Sequence, residues 1–453
     1  VTLGDSGDTF TIPSGATISN AGTAAGFGST GEVSWNTTKI TADPSTAATG
    51  VGYFTDTSGS AFNVTLPASP SAGNVVAVAD YANNWGTNAV TILRNGSNIE
   101  GNASDFVCNQ TGSSITFVFV DATKGWIATN SGNSTQAFGE TFMVATGGTI
   151  TECGNCKIHT FTGPGTFTVT TAANCAANNV VSYVVVAGGG GGGNKRAGGG
   201  GAGGYRELKS PVTPFTASPL DGYPSAPNRI TVTATGFPIA VGGGGAGGTA
   251  SGSTCNVGTA SADGSNSTFS TITGAGGGTG GGMSPNAGPN GSGKPGGSGG
   301  GGFAGGPPST PFPAATAAGT GNDPSTTPAQ GFPGGISRTS PAPSGQSGGG
   351  GGAAEAGKAG NDPGGLDGRG GAGVTSCITG SPVQRAGGGG GGSRSPGVAA
   401  PGGAGGGGNG VPTGNGTSGT ANTGGGGGGM SDCSCATSGS GGSGVVIIRY
   451  KFQ

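Results

Sequence analysis

The sequence predicts an all-β chain in two unlike parts. An N-terminal part, an intertwined β stem plus a β-sandwich-like domain, precedes a polyglycine-II helix bundle, with no α-helix. Three observations carry this expectation. No stretch sustains a 3.6-residue apolar period. Residues 1–187 instead hold short β-rich runs closed by Gly, Pro, Asn and Ser. Of the 111 glycines, 88 fall in residues 188–453, about one-third of that part against a usual share of about 7%.

The elements follow in order. Thr9-Phe10-Thr11-Ile12 alternates before the turn Pro13-Ser14-Gly15, and Ala16-Thr17-Ile18 follows. Residues 1–30 are too few and too polar to bury a core alone, so several copies are expected to wind together into a stem. Phe62-Val64-Leu66, Val75–Val78, Val90–Leu93 and Ile115–Val120 predict a β-sandwich-like domain or a barrel over 31–132, with Trp35, Trp85 and Trp126 anchoring its core. Over 133–187, Lys157–Phe161 and Thr166–Val169 flank Gly163-Pro164-Gly165 and read as a small hairpin connector.

Composition excludes several classes. So few large side chains follow residue 188 that an ordinary enzyme core cannot form there. Charged residues make up 8% and net charge is −2, which leaves no electrostatic footprint for nucleic acid. No apolar run approaches the ~20 residues of a membrane-spanning helix, so no membrane insertion is expected. Val1 begins mid-pattern, without Met or a charged leader, so an N-terminus either trimmed or left unresolved is expected, and any upstream targeting segment is not visible in the sequence.

Eleven glycine-rich runs punctuate the second part: 188–193, 198–204, 242–248, 274–282, 296–302, 348–360, 364–373, 387–392, 402–410, 424–429 and 438–444. Flexible linkers would not be fed by β-type stretches such as 182–187 and 237–241, nor end in Val445-Val446-Ile447-Ile448-Arg449-Tyr450. Strand 445–450 is therefore expected to pair with 182–187 and close the domain. The runs break the every-third-residue register of collagen. Packed side by side in the extended threefold helix, however, they can satisfy each other's N–H and C=O groups.

Candidate chemistry is sparse. The eight cysteines show no repeated metal-ligand spacing, and neither metal nor cofactor is expected. Cys153-Gly154-Asn155-Cys156 has redox spacing without a βαβ context and reads as a turn-clamping disulfide, with Cys175 as alternative partner. For Cys433 and Cys435, Cys255 or Cys377 are the expected partners. His159, the single histidine, reads as structural. No Gly-Lys-Ser/Thr ending marks a phosphate loop. Asp5, Asp8, Asp80, Asp105 and Asp121 are scattered rather than paired, so no enzyme is expected.

Several stretches resemble glycine-rich bacteriophage tail fibres. They are Tyr183–Gly193, Gly198–Arg206, Ile239–Gly248, Asn266–Phe269 and Ser443–Phe452, with Phe62–Ala68, Val118–Trp126 and Thr11–Ile18 upstream. The resemblance implies a receptor-binding adhesin with a polyglycine-II sandwich at the distal end of a virion fibre. It implies a homotrimer, attached upstream to other tail or baseplate proteins, that recognises a bacterial surface receptor, an outer-membrane protein or a glycan. The chain departs from such adhesins in carrying β-domains and glycine bundle on one polypeptide. A secreted bacterial filament or surface-layer protein is the alternative reading. An ice-binding protein fits less well, because the loops are long and irregular.

Parity narrows the contact loops. If 182–187 and 445–450 share one end, crossings must be even in number, so 267–272 is expected to supply the crossing that eleven runs lack. Loops 194–197, 249–265, 283–295, 361–363, 393–401 and 430–437 then fall at the far tip. Their candidate receptor contacts are Lys195, Arg196, Met283, Lys294, Asp362, Arg394, Met430 and Asp432.

Overall fold

The structure, a computed structural model, describes residues 33–129, 141–251, 256–257, 259–282, 291–304, 316–337, 345–360, 368–393, 398–431 and 436–453. The expected stem, 1–30, lies outside the described residues. The described chain is all-β, its only helical turns being the short 3-10 pieces Ala176–Asn179 and Ala226–Asn228. It divides into two compact units, Val1–Glu140 and Thr141–Gln453.

In the first unit run β1 (Ser34–Ile40), β2 (Val51–Thr55), β3 (Phe62–Thr65), β4 (Val75–Asp80), β5 (Val90–Leu93), β6 (Phe106–Cys108), β7 (Ser114–Asp121) and β8 (Gly125–Ala128). They form sheets of order β1-β2-β4-β7-β8 and β3-β5-β6. Alternate residues face one shared core, among them Val76, Val78, Phe117, Val64, Ile92 and Phe106. Trp85 and Trp126 are fully buried in it, and the Trp85 indole N–H donates to Thr55 Oγ1 at 2.9 Å. Trp35 corrects the expectation of three core tryptophans. It is 39% exposed on the edge strand β1, stacked on Phe54 and lying over Gly52, where a Cβ would come 2.6 Å from its ring.

The second unit carries β9 (Val144–Thr146), β10 (Thr149–Cys153), β11 (Cys156–Phe161), β12 (Gly165–Thr171), β13 (Ser182–Val186), β14 (Tyr205–Leu208) and β15 (Gly236–Ala240). Further on come β16 (Ala250–Ser251), β17 (Asn256–Val257), β18 (Ser267–Phe269), β19 (Ile272–Gly274), β20 (Val374–Ser376), β21 (Val383–Arg385) and β22 (Val445–Lys451). Two sheets, β10-β11-β22-β13-β14 and β19-β18-β15-β12-β9, enclose Tyr183, Val185, Ile448, Tyr450, Phe167 and Phe269. The C-terminal strand β22 lies between β11 and β13, and Val186 pairs with Val445 and Ser182 with Arg449. The first sheet's other face buries Val184, Val186, Val445 and Ile447 against Ala202, Val374 and Ile378.

The sequence-based hairpin 157–161/166–169 is corrected. Strand β11 pairs with β10 and β22, whereas β12 pairs with β9 and β15, so Gly163-Pro164-Gly165 carries the chain from one sheet to the other. The actual hairpin turns at Gly154-Asn155, with Gly154 at φ +56°. Cys153 and Cys156 face each other across it as free thiols, and Cys175 and Cys377 are also free. The turn is held by the strand pairing of β10 with β11 and the flanking Glu152–Lys157 ion pair at 3.7 Å, with no disulfide. Cys255, Cys433 and Cys435 lie outside the described residues.

Each rod shows a period of three. Gly188 and Gly191 donate to Ser265 and Ala262, Gly189 and Gly192 to Gly442 and Gly439, and Gly190 and Gly193 to Gly201 and Gly198, at 2.9–3.1 Å. Their carbonyls accept from other rods: Gly188 and Gly191 from Gly277 and Gly280, Gly189 and Gly192 from Gly245 and Gly248, and Gly190 from Gly427. Every third residue therefore faces the same neighbour, as a threefold helix without internal hydrogen bonds requires. Rod 188–193 is thus enclosed on six sides. A Cβ at any of its positions would sit 2.0–2.5 Å from a neighbouring carbonyl oxygen. Glycine is needed here because backbone occupies the space of a side chain.

His159 is fully buried at the seam of the two sheets. Gly147 O, 2.7 Å from Nδ1, can only accept, so Nδ1 carries the proton and Nε2 accepts from the Tyr450 hydroxyl at 3.4 Å. Burial holds its pKa below the ordinary 6.5. The unfolded chain therefore binds this proton at a higher pH than the folded chain does. The stabilisation is fully present above about pH 6.5 and is lost as pH falls through that region. In His159→Leu, stability at neutral pH should fall by about 1–3 kcal/mol, because Gly147 O loses its donor. The slope of the urea midpoint between pH 7 and 5 should flatten at the same time, and an unchanged slope would remove His159 from the acid response.

Candidate functional site at the far end of the glycine bundle

Hydrogen-bond register sets the direction of every rod. Running away from the sheets are 187–193, 242–248, 274–282, 297–302, 331–337, 356–360, 386–393, 407–411 and 424–431. Returning between them are 197–204, 259–265, 291–295, 316–320, 346–353, 368–373, 399–403, 415–420 and 436–444. Outward and returning segments alternate, so the chain re-enters the sheet through β22. Glycine runs and rods are not the same set. Runs 348–360 and 402–410 each double back, and glycine-poorer stretches such as 259–265 and 316–320 serve as rods. The 267–272 stretch is no crossing. It forms the hairpin β18–β19, because Phe269 and Ile272 bury in the sandwich core.

At the end opposite the sheets, the lattice stops in a layer of buried hydroxyls: Thr316, Ser337, Ser347, Ser393, Ser431 and Ser438. Each takes over a backbone group that no rod can reach. Ser438 Oγ accepts from Met430 N–H at 2.8 Å and donates to Gly193 O. Ser347 Oγ accepts from Ala304 N–H at 3.0 Å and donates to Arg196 O. Thr316 Oγ1 receives Phe303 N–H, and Ser337 Oγ receives Thr316 N–H at 2.9 Å. Unpaired backbone groups at these rod ends would be costly, so the hydroxyls fix where each chain segment leaves the bundle. Small residues of this kind beside a glycine run, as in Gln346-Ser347-Gly348, are the sequence signal for this layer.

Lys195 and Arg196 form the turn at the end of the central rod, both left-handed (φ +53° and +48°) and half-buried. The turn is clamped: Arg196 N–H donates to Ser431 O and Ala197 N–H to Met430 O, both at 3.2 Å. Two candidates are corrected. Met430 is fully buried with Ala197 and Ala436, where it packs the rod ends rather than facing outward. Lys294 sits within returning rod 291–295, where its Nζ lies 3.5 Å from Asp263 Oδ2 on the neighbouring rod. Met283, Asp362, Arg394 and Asp432 lie outside the described residues. The described residues that flank them, Gly282 and Gly291, Gly360 and Gly368, Ser393 and Val398, and Ser431 and Ala436, all stand at this end.

At the sheet end the structure gathers buried charge that the residue pattern did not single out. Glu207 on β14 accepts from the Tyr205 hydroxyl at 2.9 Å, Ser218 N–H at 3.0 Å and the Ser376 hydroxyl at 2.6 Å. Burial pushes its pKa up, and those hydrogen bonds oppose the shift. Its role is to tie β14, the 210–220 loop and β20 together. Arg449 is the second case, and its signal was a lone charge inside the apolar run of β22. Among the described residues, no group of three His, Cys, Asp or Glu side chains could hold a metal ion, and no helix is long and apolar enough to cross a membrane.

A family model, described as a glycine-rich domain, matches residues 160–451. No curated protein matches the chain. The matched span runs from within β11 to the end of β22 and so takes in the glycine lattice and the strand that closes it. By that match the chain belongs to the glycine-rich domain family.

Proposed function

We propose that this protein is a phage tail fibre, a distal adhesin that binds a bacterial surface receptor during adsorption and is not an enzyme. On this reading it acts as a homotrimer in the virion, joined upstream to other tail or baseplate proteins. The observation that supports the reading is the set of glycine-poor segments that the bundle carries at its end away from the sheets. Outward and returning rods alternate, and the glycine-poor segments flanked by 282 and 291, 304 and 316, 337 and 345, and 393 and 398 all leave from the end away from the sheets. A lattice held by backbone hydrogen bonds leaves those segments free to differ in sequence at little cost to the fold. Binding surfaces are commonly built on loops held by such a rigid scaffold.

The test is adsorption of the full chain to whole bacterial cells. Lys195→Asp combined with Arg196→Asn keeps residue types that tolerate left-handed backbone, and the melting curve checks that the fold is kept. Cell binding should fall by about tenfold, the scale of one lost charge-assisted contact. Exchanging the segments beyond the hydroxyl layer should change which cells are bound. Unchanged binding after both exchanges would defeat the reading.

A further inference from the structure

A cavity of about 480 Å³ opens at the sheet end of the second unit, lined by Cys153, Gly154, Asn155, Val212, Pro214, Arg449 and Lys451. Its position follows from strand register. Arg449 and Lys451 alternate with Ile448 and Tyr450 along β22, so both cations leave the sheet on the face opposite the sandwich core. Cys156 lies directly across from Lys451, and Cys153 directly across from Cys156, which brings the β10–β11 turn to the same spot.

Arg449 is the unusual element. It is 2% exposed, yet among the described residues no carboxylate lies within ion-pair distance. Nη1 donates to Ile378 O at 3.1 Å and Nη2 to Pro214 O at 3.0 Å, and the Phe215 ring centre is 5.3 Å from Cζ. These contacts orient the guanidinium without neutralising it. Nε–H is buried and has no acceptor among the described residues. The nearest acid along β10, Glu152, sits one residue before Cys153, is 60% exposed and pairs with Lys157 at 3.7 Å. A buried charge left without a counter-charge is costly, and an incoming anion would supply one.

We propose that this cavity binds a small oxyanion-bearing molecule of up to sugar size, its carboxylate or phosphate held by Arg449 with the Asn155 amide beside it, while Lys451, whose Nζ lies 4.8 Å from the centre of the Phe142 ring, adds positive charge at the rim. The volume lies within the range of small-molecule sites, ~300–1,000 Å³. A guanidinium fixed in place by two carbonyls suits the planar recognition of such groups. This site stands apart from the hydroxyl-capped end of the bundle and does not depend on the adhesin reading.

Titration calorimetry of the full chain with inorganic phosphate and, separately, with glucuronate tests the proposal at constant ionic strength. At least one anion should bind saturably, with a dissociation constant on the order of millimolar. The arm that binds identifies the head group. Lys451→Gln, at the rim and safer for folding than a change at Arg449, should weaken binding about tenfold. Peptide-resolved alkylation locates the event: the bound anion should slow modification of Cys153 and leave the exposed Cys175 unchanged. Absence of saturable heat with both anions, or equal affinity in Lys451→Gln, would overturn the proposal.

Discussion

Gly190→Ala should strongly destabilise the glycine bundle, whereas Gly243→Ala should leave it intact or slightly stabilise it. A Cβ at residue 190 would lie 2.3 Å from Gly278 O, 2.6 Å from Gly278 C and 2.8 Å from Gly277 O, all backbone atoms. Overpacking a core usually costs about 1–3 kcal/mol, because side chains change rotamer to make room. No rotamer exists here. Rod 274–282 cannot retreat, since Gly277 and Gly280 donate to the same central rod and Gly278 and Gly281 accept from 198–204. The cost should therefore be about 3 kcal/mol or more, the upper end of that range or beyond it. Residue 243 is exposed, with no atom within 4 Å of its would-be Cβ. Ala246, three residues on and so on the same face of the threefold rod, already carries a methyl there. Alanine at 243 should gain about 0.4–1 kcal/mol by restricting the unfolded chain. Thermal melts followed by hydrogen exchange over 187–204 check both arms. A wild-type melt for Gly190→Ala, or equal damage at both positions, would show that the lattice does not set the glycine requirement.

The sequence already contained much of this contrast. A glycine run bounded by Val186-Ala187 on one side and Val445-Val446 on the other implies a lattice closed by paired strands, because apolar strands have no place at the ends of a linker. The closing pair, 182–187 with 445–450, was legible for that reason. The path of the chain was less so. Asp263 and Ser265 occupy a rod as readily as glycine, since their side chains lie at the bundle surface and their N–H and C=O groups still meet the lattice. Composition could not reveal those crossings, nor the reversals inside 348–360 and 402–410. The sheet exchange at Gly163-Pro164-Gly165 was hidden for a similar reason. Two alternating strands around a turn look like a hairpin unless a distant strand, here β22, competes for the pairing. Met430 illustrates the limit for the candidate site. Its place beside a variable segment suggested exposure, and only the packing of Ala197 and Ala436 around it shows otherwise.

Removing residues 445–453 should abolish folding of the second unit while the first stays folded. Strand β22 is the middle of its sheet, and its loss would strip β11 and β13 of their shared partner at once. It also supplies side chains to two cores, Val446, Ile448 and Tyr450 to one and Val445 and Ile447 to the other, all at most 2% exposed. Truncating a single large buried side chain commonly costs about 2–5 kcal/mol, and a whole domain is stable by only about 5–15 kcal/mol. The glycine rods cannot compensate. Each residue contributes one N–H···O=C bond of modest net worth, set against the large backbone entropy of glycine. The lattice is therefore expected to depend on the apolar sandwich for its stability. Hydrogen exchange read by mass spectrometry separates the alternatives. In the truncated chain, amides of 188–193 should exchange at unfolded rates while those of β4 and β7 in the first unit stay protected. Protection persisting at 188–193 would mean that the bundle holds itself together, and that the C-terminal strand seals a domain already formed.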